Sequence, residues 1–145
     1  MLVLATPLAA QEPNRPDAAK KAEDLQYSVR VRGDKETGKS KRLIIELTVV
    51  NESSRDITLD FANSGRVCGE LYDADHNRYA RFPEVTLQVV GTEAFPPKKK
   101  RVFQTEVPLG SVDKISPGRH SATAWLCGYG IQRAWAGFPL SIPRE

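Results

Sequence analysis

Apolar residues recur at every second position along much of this chain, the period of a pleated strand with one buried face. The clearest stretch runs from Leu43 to Phe61. Leu43, Ile45, Leu47 and Val49 share one face, while Ile44 and Val50 put apolar groups on the other. Asn51–Asp56 interrupts the run with turn-forming residues, and Ile57, Leu59 and Phe61 resume the alternation. Two strands joined by a short polar turn, sharing one apolar face, make half of a core. Upstream, Leu25, Tyr27, Val29 and Val31 alternate with Gln26, Ser28, Arg30 and Arg32. That pattern predicts an edge strand with a wet outer face. The charged loop Gly33–Lys41 then joins it to the central strand as an antiparallel neighbour.

Downstream, Ala62–Arg66 reads as a turn, with Gly65 free to adopt positive φ. Val67–Asp73 is a strand, and Asp73–Arg78 is a tight turn in which Asn77 takes the left-handed conformation. Tyr79–Phe82 returns and Pro83 ends it. Val85, Leu87 and Val89 alternate as a further strand, closed by Gly91. Thr92–Pro97 is expected as a loop, Lys98–Val107 as a strand and Pro108–Pro117 as a loop. Ser121–Cys127 is the next strand, Gly128–Gly137 a long loop, and Phe138–Ile142 a last short strand. The sum is eight or nine short strands and no useful helix. The expected architecture is a single all-β domain over residues 25–145, an immunoglobulin-like antiparallel β-sandwich. Its core should hold Val29, Ile45, Leu47, Val49, Ile57, Leu59, Phe61, Leu71, Leu87, Val89, Phe103 and Trp125.

Composition narrows the function only a little. The 145 residues carry a net charge of +3, too mild to argue for nucleic acid, and the cations are spread along the chain without the aromatic interleaving of a stacking platform. No segment approaches the run of about 20 apolar residues that a membrane-spanning helix needs. Residues 1–10 end in Leu8-Ala-Ala10 and read as the remnant of an export signal, followed by a polar linker over 11–24. Export to the periplasm or the exterior is therefore the expected location, and the cytoplasm is the alternative.

Cys68 and Cys127 are the two cysteines, and one disulfide fits an exported chain. The strand pattern complicates it. Val67, Gly69 and Leu71 face inward, which turns Cys68 outward, whereas an inward Trp125 would carry Cys127 inward too. A bulge at Gly69 would reconcile the two faces; two unpaired thiols are the other reading.

Several motifs resemble the BsuPI family of intracellular proteinase inhibitors. They are Asn51-Glu-Ser53, the alternation Ile57, Leu59, Phe61, the turn Ser64-Gly65-Arg66, Leu71-Tyr-Asp73, and Pro117-Gly118-Arg-His120. The family pattern is similar to N-x-S/T, I-x-L-x-F, S-G-Q, an aromatic-Asp strand, a D-x-x-G turn and P-G-x-Y, and the resemblance spans residues 43–142. Arg66 stands where the family has Gln, Asn77 where it has the turn glycine, and His120 where it has Tyr. A Trp-rich segment is reduced to Tyr79-Ala-Arg-Phe82. The resemblance implies an immunoglobulin-like sandwich and a cytosolic type of inhibitor directed at a subtilisin-like serine protease.

No catalytic constellation emerges. His76 and His120 are the two histidines, and their spacing to the cysteines does not suggest a nucleophile with its base. Asp73, Asp75, Asn77 and Glu84 occupy positions 1, 3, 5 and 12 of a calcium loop, but Arg78 stands where the sharp turn demands glycine. Pro97-Lys-Lys-Lys-Arg101 reads as a charged strand start, and Asn51-Glu-Ser53 as a turn before a glycosylation site. The expected function is therefore a non-catalytic protein-binding module without cofactor, its partner a protein such as a serine protease. Contact candidates are Ser64, Gly65, Arg66, Tyr129 and Trp135, from the loops Asn63–Arg66 and Gly128–Gly137. The alternative is a cell-envelope assembly domain adding an edge strand to a partner's sheet. Oligomeric state is not legible.

Overall fold

A computed structural model describes residues 22–33, 42–109 and 118–140. The expected export signal (1–10), most of the linker, the loops 34–41 and 110–117 and the final residues 141–145 lie outside them. Nine strands make up the described chain: β1 (Leu25–Gly33), β2 (Arg42–Asn51), β3 (Ile57–Phe61), β4 (Val67–Tyr72), β5 (Arg78–Phe82), β6 (Gly91–Phe95), β7 (Lys100–Pro108), β8 (Gly118–Leu126) and β9 (Ala134–Leu140). They form sheets of order β1-β2-β7 and β5-β4-β8-β9 and a ribbon β3-β6, with every pairing antiparallel. This is the immunoglobulin-like sandwich expected from the alternation.

The β2–β7 and β3–β6 pairs come from the same two stretches of chain. Register runs from Arg42↔Pro108 to Val50↔Lys100, then from Ile57↔Phe95 to Phe61↔Gly91. Between them one stretch loops out through Glu52–Asp56 and the other turns at Pro96–Lys99. Asn51 closes this seam from inside. Its backbone N–H donates to Lys99 O at 3.4 Å and its carbonyl accepts from Lys98 N at 2.8 Å. Its side chain, wholly buried, donates from Nδ2 to the carbonyls of Arg55 (2.6 Å) and Phe95 (2.7 Å). Oδ1 accepts from the Ser53 amide (2.9 Å) and hydroxyl (2.8 Å). A buried amide survives only when its donors and acceptors are matched, and here both ends are. The motif expected as a turn is one, with its asparagine turned inward.

The period-two reading holds where the chain alternates across a two-layer core. Leu43, Ile45, Leu47, Val49, Ile57, Leu59, Phe61 and Leu71 are buried, and Val29 and Phe103 pack against them half-buried. It fails at Val85, Leu87 and Val89. These residues belong to no strand and are 82%, 67% and 59% exposed. The place beside β3 is taken instead by Gly91–Phe95, most of it within the stretch Thr92–Pro97 expected as a loop, and its Phe95 supplies the buried ring. Trp125 is a second correction. On β8, His120, Ala122, Ala124 and Leu126 face the core, so Trp125 points out, its ring covered by the Arg133 guanidinium at 3.9 Å. β9 likewise begins at Ala134, inside the stretch expected as a loop, with Ala134, Phe138 and Leu140 inward.

Two conformational expectations shift. His76 (φ 64°), not Asn77, takes the left-handed position in the β4–β5 turn. Gly65 is not among the residues with positive φ; close packing requires it instead. A Cβ there would stand 3.0 Å from Thr86 Cγ2 and 3.4 Å from Cys127 Sγ.

Candidate functional site

With Trp125 outward, the cysteine problem dissolves. Cys68 pairs with Trp125 across β4–β8, both are half-buried on the outer face, and Cys127 follows β8 on that same side. The two cysteines are joined, with Cα atoms 5.0 Å apart. No bulge at Gly69 is needed; the register shift in β4 lies between Leu71 and Tyr72, against β5. Gly69 itself is fixed by close approach, since a Cβ would meet Thr123 O at 2.0 Å and the Phe82 ring at 2.2 Å.

The candidate contact residues divide into supports and exposed groups. Gly65 is buried and Arg66 half-buried. The Arg66 guanidinium donates to Glu93 Oε2 (2.6 Å) and to the carbonyls of Asn63 (2.7 Å) and Gly65 (3.2 Å), and lies 4.3 Å over the Phe61 ring. Glu93 also accepts from Arg101 at 2.8 Å. Burial opposes ionisation of Glu93, but the two arginines outweigh it and hold its carboxyl below the usual range. Arg66 is thus a clasp between the β3–β4 turn and β6.

Tyr129, expected as an exposed anchor or a cap, is the latter. It is 4% exposed, donates to Asp60 O at 2.6 Å and meets Phe61 edge-on at 5.6 Å. Trp135 is 61% exposed on β9. Ser64 stands at the surface and is hydrogen-bonded to Leu87: its N–H donates to Leu87 O at 2.9 Å, and its Oγ accepts from Leu87 N at 2.7 Å.

Of the calcium-loop candidates, Asp73, Asp75 and Asn77 lie in the turn between β4 and β5. Asp73 Oδ1 accepts from the amides of Asp75 and Asn77, each at 2.9 Å, so it is bound to its own backbone. β5 then leads away toward Glu84. Among the described residues no group of three or more His, Cys, Asp or Glu converges as metal ligands. The histidines are apart from the sulfurs' chemistry too. His76 is exposed in the turn. His120 is buried, with Nδ1 2.8 Å from Tyr79 Oη and its ring packed against Tyr79 and Phe138.

Burial, with the Asp73 carboxylate adding to it, pushes the Tyr79 phenol up to about 12 from an ordinary 10.0. Burial also raises Tyr27. A raised phenol keeps its proton in the fold after the unfolded chain has lost it, so the folded state is penalised as pH rises. Stability should hold to about pH 10 and fall from there to about 12. Ultraviolet titration of the folded chain against its denatured form checks this; all phenols ionising together near pH 10 would contradict it.

At the surface, the segment from Pro83 to Val90 is irregular chain that exposes Val85, Leu87, Val89 and Val90. Pro83 and Thr86 border two hollows, one on either side. The first, of about 250 Å³, is lined by Ser64, Arg66 and Phe103; the second, of about 420 Å³, reaches Glu70, Trp125 and Arg133. Sequence reasoning missed this exposed segment because its alternation looks like a strand. The absence of charge from Val85 through Thr92 does not separate an exposed apolar segment from a buried one.

Comparison with known proteins places the chain by family. No curated protein matches it. Among solved structures, a β-glucosidase involved in saponin metabolism from intestinal bacteria is 14% identical with a TM-score of 0.47 over 81% of this chain and 16% of its own. A β-glucosidase from Erythrobacter marinus is 14% identical, TM-score 0.48, over 81% and 15%. The chain therefore spans about one sixth of the length of these enzymes. A protein described as putative ApaA from Bordetella pertussis is 15% identical, TM-score 0.46, over 84% and 96%. Likenesses this distant carry no functional argument. The family described as intracellular proteinase inhibitor, BsuPI, matches residues 26–130, most of the sandwich from β1 to the turn after β8, and the chain belongs to that family.

Proposed function

We propose that this chain is a protein-binding module that inhibits an endopeptidase of the subtilisin-like serine class. The observation that carries the reading is the family match over residues 26–130. The architecture suits the role. Binding is strongest when the contact surface is ordered before the partner arrives, and the β3–β4 turn is held by the disulfide and by the Arg66–Glu93–Arg101 network.

The family is described as intracellular, yet a cross-linked pair persists in an oxidising compartment. The disulfide together with the apolar small-residue start favours action outside the cytoplasm. No helix among the described residues is long and apolar enough to cross a membrane. The test is a panel of purified subtilisin-like endopeptidases assayed with a chromogenic peptide. The expected result is dose-dependent slowing by the oxidised full chain at micromolar concentration or below. Unchanged cleavage across the panel contradicts the proposal.

A further inference from the structure

We infer that the segment Val85–Val90 is the surface through which this chain meets its protease, with the side chain of Leu87 at its centre. The inference rests on the inhibitor reading above and names the site that reading leaves open.

Three observations converge on the segment. Val85, Leu87, Val89 and Val90 are 82%, 67%, 59% and 76% exposed, four large apolar side chains within six residues of one surface stretch. An exposed apolar cluster on a folded domain marks a contact site. Pro83, Val85 and Thr86 line the first hollow, and Pro83 and Thr86 the second, so two recesses adjoin the segment. A partner seated on the apolar side chains can reach into them.

The third observation is the way the segment is held. Both main-chain groups of Leu87 are bonded to Ser64, the carbonyl at 2.9 Å and the amide at 2.7 Å, so its side chain can project while its backbone stays fixed. Val89 N–H donates back to Leu87 O at 2.8 Å. Thr86 packs down on Gly65, which in turn lies against Cys127 Sγ. The support thus runs from the disulfide through Gly65 and Thr86 to the segment. Ser64, Gly65 and Arg66 act here as positioning residues beneath the contact segment. An uncharged, apolar segment selects a protease that offers an apolar contact surface. Acidic or basic clefts have nothing to pair with between Val85 and Thr92.

The experiment uses the oxidised full chain and whichever endopeptidase of the panel it inhibits. Leu87→Asp and Val85→Asp replace exposed side chains, so melting temperatures should match the parent. Each should weaken inhibition at least about tenfold. Ser64→Ala, which removes the bond to the Leu87 amide, should weaken it by a smaller factor. Trp135→Ala, which alters an exposed aromatic on β9, should leave it unchanged. If the parent inhibits while both aspartate variants inhibit equally well, the segment is not the contact and the inhibitor reading stands. If the parent inhibits no member of the panel, the inhibitor reading falls and the inference falls with it.

Discussion

Replacing Cys68 and Cys127 together by alanine should lower the free energy of unfolding by about 4 kcal/mol in the chain-entropy account of cross-links. The bridge joins residues separated by 59 positions, so the unfolded chain without it gains a large loop's worth of freedom. Domains of this size are stable by roughly 5–15 kcal/mol in total, so the loss is a substantial share. Chemical denaturation measures it, and the parent in reductant should shift by a similar amount. A shift under about 1 kcal/mol would mean that the bridge constrains little. Because Cys127 Sγ lies against Gly65, the same change should loosen the Val85–Val90 segment.

Asn51→Ala is the second large effect. The change removes four hydrogen bonds made by one wholly buried side chain. It leaves the buried carbonyl of Phe95 and the amide of Ser53 without those partners. At about 1–3 kcal/mol for a stranded buried group, the expected loss is about 3 kcal/mol, read by denaturant midpoint. Asn51→Asp separates this account from simple loss of volume. It keeps the shape and the two bonds from Ser53, but turns an acceptor toward the carbonyls of Arg55 and Phe95. It should destabilise at least as much as alanine at neutral pH. An aspartate variant as stable as the parent would show that the donated bonds contribute nothing.

The sequence made the two-layer architecture legible because β1 to β4 alternate cleanly, from Leu25 to Leu71. It was less informative where alternation and burial part company. Val85, Leu87 and Val89 alternate but belong to no strand, because a period of two describes the side chains and not the partner strand. Gly91–Phe95 pairs with β3 yet carries Gly, Thr, Glu and Ala, so only Phe95 betrays it. Trp125 was misplaced by its size alone. Its neighbours Ala122, Ala124 and Leu126 fill the inner face, and a large ring can lie outside when a guanidinium covers it. Of the contact candidates, Ser64 could be found by position, but its role as a tether depends on a pairing with Leu87 across 23 positions that no local pattern encodes. Tyr129 read as an exposed anchor or a cap. Its hydrogen bond to Asp60 O, a long-range contact, settles it as a cap.

The most direct measurement of the inhibitor assignment is size-exclusion chromatography of the oxidised chain mixed with an active-site-titrated subtilisin-like endopeptidase. The account predicts a one-to-one complex with the chain uncut, lost when the cleft is first filled by a covalent peptide inhibitor. Separate elution at micromolar concentration, or steady degradation of the chain by the enzyme, would contradict it.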